Sequence, residues 1–128
     1  MRFPLLCCLS ILIVFGVVFA QGQKKSEPCS KAQTQAEMNI CAGREYQAAD
    51  AELNQVYRKL VAMLNDEEKS QLKGAQNAWL KYRDANCEFV ADQYKGGSIR
   101  PMIDGLCLAG VTRNRTAELR DQIKDRNQ

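Results

Sequence analysis

The chain has 128 residues, and its 18 basic and 15 acidic side chains give a formal net charge of +3 without any histidine. One domain is expected at this length, and so small a charge does not favour a nucleic-acid-binding protein. Because histidine is the commonest general base and a common metal ligand, neither an acid–base enzyme nor a histidine metal site is expected.

The N-terminal segment has the layout of a secretory signal peptide. Arg2 precedes an apolar run over residues 5–20, which ends in Ala20 and is followed by polar residues. The run is shorter than the ~20 apolar residues of a spanning helix, which favours cleavage after Ala20 over an uncleaved anchor. We therefore predict a signal peptide over residues 1–20, export to the periplasm or the medium, and no membrane segment after cleavage. The net charge of the exported chain falls from +3 to +2, because Arg2 is the one charged residue removed.

The exported chain divides into a polar tail over residues 21–28, a helical domain over residues 29–124 and a short tail over residues 125–128. Thr34 and Glu37 have the spacing of a capping box, which predicts that a helix begins there. Apolar residues then recur at steps of three, four or seven, at Met38, Ala42, Ala49, Leu53, Val56, Leu60 and Leu64. This periodicity predicts a first helix that runs to about Leu64.

A second helix is predicted after a short break. Asn65 or Asp66 can cap it, and Glu67 and Glu68 lie in its first turn, where the helix dipole favours acids. Its predicted buried face consists of Leu72, Ala75, Trp79, Tyr82, Asn86, Phe89 and Val90. Gly96 and Gly97 end it. The connection between the first and second helices is only two or three residues long, which predicts that they form an antiparallel hairpin.

A third helix completes the prediction of an all-α fold. Residues 96–105 are predicted to form a loop, and residues 106–124 a helix with Ala109, Thr112, Thr116, Leu119 and Ile123 at helical spacing. The predicted architecture is a long antiparallel helical hairpin plus this third helix, stapled by two disulfides.

Four side chains are given structural roles in the hairpin. Trp79 and Tyr82 lie on the predicted buried face of the second helix, so we expect Trp79 in the seam between the two long helices. Glu45 and Arg83 lie at similar heights of the predicted hairpin, and we expect them to pair across it, since partly buried charges are usually paired internally. The alternative for Arg83 is contact with a partner protein.

Four cysteines remain after removal of the signal peptide: Cys29, Cys41, Cys87 and Cys107. An even number in an exported chain predicts two disulfides, and the wide spacings do not resemble a zinc site. Cys41 and Cys87 lie at the same predicted height but far from the centres of their apolar stripes, which argues against a bond between them. Of the three possible connectivities, we predict Cys29–Cys41 and Cys87–Cys107.

The order of several phrases resembles a known family. These are Cys29, TQAEMNICA at 34–42, AADAELNQVYRKL at 48–60, AQNAWLKYRDANC at 75–87, and Cys107 followed by Thr112, Arg115 and Leu119. Together they resemble the LprI-like domain family over about residues 29–123. The resemblance implies an exported bacterial helical domain. The family takes its functional name from inhibition of lysozyme. It carries over no set of inhibitory residues.

Two functional hypotheses follow. The first is a protein inhibitor that occludes the cleft of a lysozyme, whose chemistry uses two carboxylates. Basic or hydroxyl-bearing residues of the predicted loop, namely Lys95, Ser98 and Arg100, are the candidates for that contact. The second is an interaction module of the cell envelope that has no lysozyme target. In either case the sequence predicts a protein partner, no enzyme activity, no cofactor and no metal.

Overall fold

The computed structural model describes residues 31–128, which form three α-helices of 27 residues each. The helices are α1 (Gln35–Val61), α2 (Asp66–Asp92) and α3 (Arg100–Arg126). No strand occurs within this range, so the predicted all-α class is confirmed for the described residues. The predicted signal peptide, the polar tail and Cys29 lie outside them.

Capping boxes start α1 and α2. The Thr34 hydroxyl accepts a hydrogen bond from the Glu37 backbone N–H, and the Glu37 carboxylate accepts from the Thr34 N–H. The backbone N–H of Gln33 also donates to the Glu37 carboxylate, and this bond, followed by the one from Thr34, lowers the pKa of Glu37. Asn65 and Glu68 form the same reciprocal pair at the start of α2. The start of α1 was therefore predicted correctly, and of the two caps considered for α2 the structure has Asn65, because each motif satisfies backbone donors that the helix itself leaves unpaired.

The third helix begins at Arg100, so the predicted loop over residues 96–105 is wrong in its second half. Pro101 lies in the first turn of α3, where its missing N–H costs no helical hydrogen bond and its fixed φ fits the helix. Gly105 lies inside the helix and is buried. Proline and glycine, which suggested a loop, here mark a helix start and a close helix contact.

The helices run up, down and up, and α3 packs closely against both of the others. Glu45 pairs with Arg113 and Glu52 with Arg120, with the same separation of 68 residues in each pair, so α1 and α3 are parallel. α1 and α2 are antiparallel, but their backbones approach much less closely than those of α1 and α3. The predicted antiparallel hairpin is therefore present, but its seam is not the main packing surface, because α3 packs more closely against each helix.

The core is concentrated near the connection between α1 and α2. We call this region the leucine-rich end, and its buried cluster consists of Leu53, Val56, Leu60, Leu64, Leu72 and Leu119. The apolar stripe predicted for α1 is confirmed, except that Met38 is only half-buried. The stripe predicted for α3 is confirmed from Ala109 to Leu119, with Ile123 packed against the cluster.

Small residues fill the opposite end, which we call the disulfide end. Its buried residues are Cys41, Ala42, Cys87, Ala91, Gly105 and Ala109. A Cβ atom at Gly105 would lie 3.0 Å from the backbone carbon of Ala42, so α1 and α3 are in close contact there. Cys87 and Cys107 form a disulfide with a Cα–Cα distance of 5.5 Å, which ties α2 to α3 as predicted.

The second predicted disulfide stays a prediction. Cys29–Cys41 involves a cysteine outside the described residues, and Cys87–Cys107 is the one pair present within them. Cys41 is not a free thiol. Since Cys87 is bonded to Cys107, the alternative connectivity between Cys41 and Cys87 is excluded.

The buried face of α2 differs from the predicted one. Leu72, Arg83, Cys87 and Ala91 are buried, whereas Tyr82 is 59% and Phe89 74% exposed. Trp79 is half-buried against the leucine-rich cluster. At 100° per residue the observed face is rotated by roughly 90° from the predicted one. The reason is that α2 turns toward α3, to which its cysteine is bonded, and not toward α1.

Candidate partner-binding surface

The connection between α2 and α3 is a tight turn over residues 93–99. Consecutive backbone hydrogen bonds run through it, including Gly97 N–H to the Tyr94 carbonyl at 2.9 Å. Gly96 has a φ of 81°, a left-handed conformation that residues other than glycine seldom adopt. The pair of glycines therefore permits the chain to reverse within seven residues.

Four contacts hold this turn in place. The Asn39 side-chain amide of α1 donates to the Ser98 carbonyl at 3.0 Å. Arg100 donates to Glu88 at 2.6 Å and to Asp92 at 3.0 Å, both on α2. The Cys87–Cys107 disulfide closes the chain on either side of the turn. All three helices thus fix the position of a short exposed segment.

The three candidate contact residues differ in what they offer a partner. Lys95 and Ser98 are exposed, and Lys95 forms no ion pair with any residue in the range 31–128. Arg100 is only 29% exposed at its side chain and bridges two carboxylates. The hydrogen bond to Asp92 raises the pKa of Arg100. Arg100 therefore anchors the turn, whereas Lys95 and Ser98 face solvent.

Tyr94 adds an aromatic ring to the same surface. It is 41% exposed and follows α2 by two residues. Beside the turn, α1 and α3 enclose a shallow depression of about 180 Å³, lined by Met38, Cys41, Ala42, Glu45, Met102 and Leu106. This volume is below the roughly 300–1,000 Å³ of a site for a drug-sized ligand, so the exposed turn is the better candidate for recognition.

Arg83, which is itself buried, lies at the centre of a separate cluster. Its guanidinium lies 5.3 Å from the ring centre of Tyr46 and 5.2 Å from that of Trp79, distances that allow cation–π attraction. It also contacts Asp84 at 2.8 Å and Asp50 at 3.5 Å. The cluster bridges α1 and α2 where their backbones are not in close contact.

The predicted Glu45–Arg83 pair is wrong. Asp50 takes the place of Glu45 across α1 and α2, and Glu45 pairs with Arg113 of α3 at 2.9 Å. The predicted height was nearly right, but Glu45 lies on the side of α1 that faces α3. Tyr46 belongs to the same cluster. Burial raises its pKa, and the nearby charge of Arg83 offsets part of that rise.

The acidic start of α2 is partly neutralised within the bundle. Asp66 pairs with Lys69 at 3.3 Å, and Glu68 lies 3.8 Å from Arg126 of α3. Glu68 also serves the capping box. Of the three acids at this start, Glu67 alone forms no ion pair within the described residues.

Within residues 31–128 no group of three metal-ligating side chains comes together, and no helix has the length and apolarity to cross a membrane.

Comparisons with known proteins place these features in a family. Residues 26–119 match the family model described as "Lysozyme inhibitor LprI". The chain is also similar to "Uncharacterized protein R02472" of Rhizobium meliloti (strain 1021), with 41% identity over 94% of this chain and 90% of that protein. No solved structure matches. The family model covers most of the chain, including all of α1 and α2, and the chain therefore belongs to the lysozyme inhibitor LprI family.

Proposed function

We propose that this protein is an exported inhibitor of a lysozyme and that it acts by inserting the turn over residues 93–99 into the enzyme's cleft. The observation that carries the proposal is the turn itself, an exposed segment fixed by contacts to all three helices. Membership of a family named for lysozyme inhibition supports the choice of target.

Rigidity of the turn favours tight binding. A loop that is already ordered loses little conformational freedom on association, so more of its contact energy appears as affinity. The Asn39, Arg100 and disulfide contacts provide that order here.

The chemistry of the turn matches the proposed cleft. In a lysozyme, two carboxyl groups of the enzyme flank the glycosidic bond that is cleaved. An ammonium group at the tip of an inhibitor therefore finds an oppositely charged site. Lys95 provides such a group, and Ser98 adds a hydroxyl that can both donate and accept. Long-range steering contributes little, since the chain has a net charge of only +3. We therefore expect the attraction to be local.

An assay of bacterial cell-wall lysis tests the proposal. The purified protein should slow lysis by at least one class of lysozyme, and Lys95→Glu should weaken the inhibition about ten-fold or more by placing a third carboxylate in the cleft. Lys59→Glu is the matched control, because Lys59 is exposed near the far end of α1, roughly 30 Å along the helix from Asn39.

Two outcomes would count against the proposal in different ways. Unchanged lysis at large molar excess, across several lysozyme classes, would favour the interaction module without a lysozyme target. Equal weakening by Lys95→Glu and Lys59→Glu would retain inhibition but remove the turn as the binding surface.

A further inference from the structure

An apolar stripe on the outer face of α2 remains uncovered by any residue in the range 31–128. We call it the outer stripe, and its exposed members are Ala75, Ala78, Tyr82, Ala85 and Phe89. They follow one another at steps of three or four, which places them within about 80° of the helix circumference and along about 21 Å of its length. No charged residue falls within this sector between Ala75 and Phe89.

The outer stripe has the apolar spacing of a buried helix face, although it faces solvent. Tyr82 and Phe89 are 59% and 74% exposed, while the face toward α3 is already filled by Leu72, Cys87 and Ala91. Scattered apolar residues are normal at a surface, but a continuous apolar stripe marks an interaction site. The mixture of three alanines with two aromatic rings further suits the packing of one helix against another, since small residues let the backbones approach.

We propose that the outer stripe is a self-association surface, on which two copies of this chain pair their α2 helices antiparallel about a two-fold axis. Charges on the rim of the stripe argue for a second copy. Lys81 and Glu88 lie on the same rim, and Lys81 makes no ion pair within the described range. The Glu88 side chain is 62% exposed even with Arg100 bound to it.

Symmetry converts these two charges into two ion pairs. A two-fold axis that passes α2 between residues 84 and 85 sets Lys81 of each copy opposite Glu88 of the other, because both lie the same distance from the axis. A single helix cannot form this pair, since seven residues separate the two side chains by about 10.5 Å.

The same register fits the apolar residues. Ala85 lies beside the axis and faces its own counterpart, where a small side chain allows close approach. Phe89 falls at a height between Ala78 and Tyr82 of the second copy, so its ring can enter the gap above an alanine and beside another ring. Charge and shape thus select one register independently.

The size of the stripe predicts a weak dimer. The exposed parts of Tyr82 and Phe89 amount to roughly 250 Å² per copy, taking about 200 Å² for a whole aromatic side chain. With the alanines and the rim, the buried total stays below the ~1,200–2,000 Å² of a stable interface. The dimer should therefore form and dissociate with concentration.

Sedimentation equilibrium of the purified protein, from micromolar to millimolar concentration, tests the proposal. The wild-type chain should show a reversible monomer–dimer equilibrium, and Phe89→Ser should lower the association constant about ten-fold or more. Ile40→Ser is the matched control, because Ile40 is an exposed apolar residue of α1, 56% accessible, and should leave association unchanged.

A charge-reversal pair tests the register. Lys81→Glu should weaken the dimer several-fold by opposing two carboxylates, and Lys81→Glu with Glu88→Lys should restore it. Arg100 also bonds to Asp92 at 3.0 Å in the wild-type chain, so it has a second carboxylate available when Glu88 is replaced. Restoration supports the antiparallel register, while a double variant weaker than Lys81→Glu overturns it.

The proposal is overturned if the wild-type chain stays monomeric at millimolar concentration. If that monomeric chain binds another protein and Phe89→Ser abolishes the binding, the stripe belongs to a different partner. Neither measurement of self-association involves a lysozyme, so failure here leaves the proposed inhibition untouched.

Discussion

The leucine-rich end and the disulfide end belong to the same three helices, yet they are held together by different interactions. At the leucine-rich end, six large apolar side chains are almost fully removed from water. At the disulfide end the buried side chains are small, and a glycine contact, a disulfide and the Arg100 ion pairs take their place. Burial is non-directional, whereas covalent and polar contacts fix distances and angles.

This difference corresponds to where the candidate turn lies. The turn over residues 93–99 belongs to the disulfide end, where directional contacts hold a short exposed segment. The leucine-rich end provides most of the hydrophobic stabilisation for the bundle as a whole. Most of the hydrophobic stabilisation thus lies at one end and the exposed turn at the other, so substitutions at the two ends should have separable effects.

The largest effect is expected at the leucine-rich end. Leu60 is fully buried, and Leu60→Ala should lower the free energy of unfolding by about 2–5 kcal/mol through lost burial and a residual cavity. Chemical denaturation followed by circular dichroism measures it. Leu106→Ala, at a residue 42% exposed near the disulfide end, is the control and should cost under about 1 kcal/mol. Similar losses from both would contradict the division into two ends.

Removal of the disulfide should have a large effect of a different kind. The Cys87–Cys107 bond closes a span of 20 residues, and Cys87→Ala with Cys107→Ala should destabilise the fold by about 3 kcal/mol in the chain-entropy model. Amide hydrogen exchange in the turn should accelerate more than exchange near Leu60, since the bond anchors the turn. Uniform acceleration along all three helices would instead mean that the disulfide stabilises the bundle without ordering the turn.

The sequence predicted the elements that depend on local chemistry and missed those that depend on which helices meet. The capping residues Thr34 and Asn65 satisfy backbone donors in their own helix, so a motif a few residues long determined both starts. The face of α2 could not be predicted in that way. Tyr82 and Phe89 are apolar and were placed inward, although burial depends on the surface that α3 presents.

The buried cysteine was the overlooked signal for α2. A bond between Cys87 and Cys107 requires the cysteine face of α2 to meet α3, and that condition alone would have turned Tyr82 outward. Arg83 then enters the interior because two aromatic rings and two carboxylates surround its guanidinium. For the candidate turn, Lys95 and Ser98 were predicted as exposed loop residues, but the anchoring role of Arg100 depends on Glu88 and Asp92 one helix away.

A smaller effect should reveal the close contact at the disulfide end. Gly105→Ala would place a methyl group 3.0 Å from the Ala42 backbone, and separation of α1 and α3 should cost more than the ~1 kcal/mol gained in helix propensity. We expect a net loss of about 1–2 kcal/mol in thermal or chemical unfolding. Gly110→Ala in the same helix meets no atom within 4 Å and should instead stabilise by about 0.5–1 kcal/mol. Equal gains at both positions would show that the two helices are not in forced contact.

The smallest effect concerns two threonines that lie between the two ends. Thr112 and Thr116 are both buried in α3, and the Thr116 hydroxyl donates to the Thr112 carbonyl at 2.9 Å. The Thr112 hydroxyl has no hydrogen-bond partner among the described residues. A buried unpaired hydroxyl costs free energy that a methyl group of similar shape does not.

Valine at these positions should therefore act in opposite directions. Thr112→Val should raise the free energy of unfolding by about 1 kcal/mol, because it replaces the unpaired hydroxyl while keeping β-branching and volume. Thr116→Val should lower it by about 0.5–1 kcal/mol, because it removes a hydrogen bond. Denaturation midpoints of the two variants, measured side by side, provide the comparison. If both valines destabilise, the Thr112 hydroxyl is satisfied in solution, and the boundary between the two ends is more polar than its packing indicates.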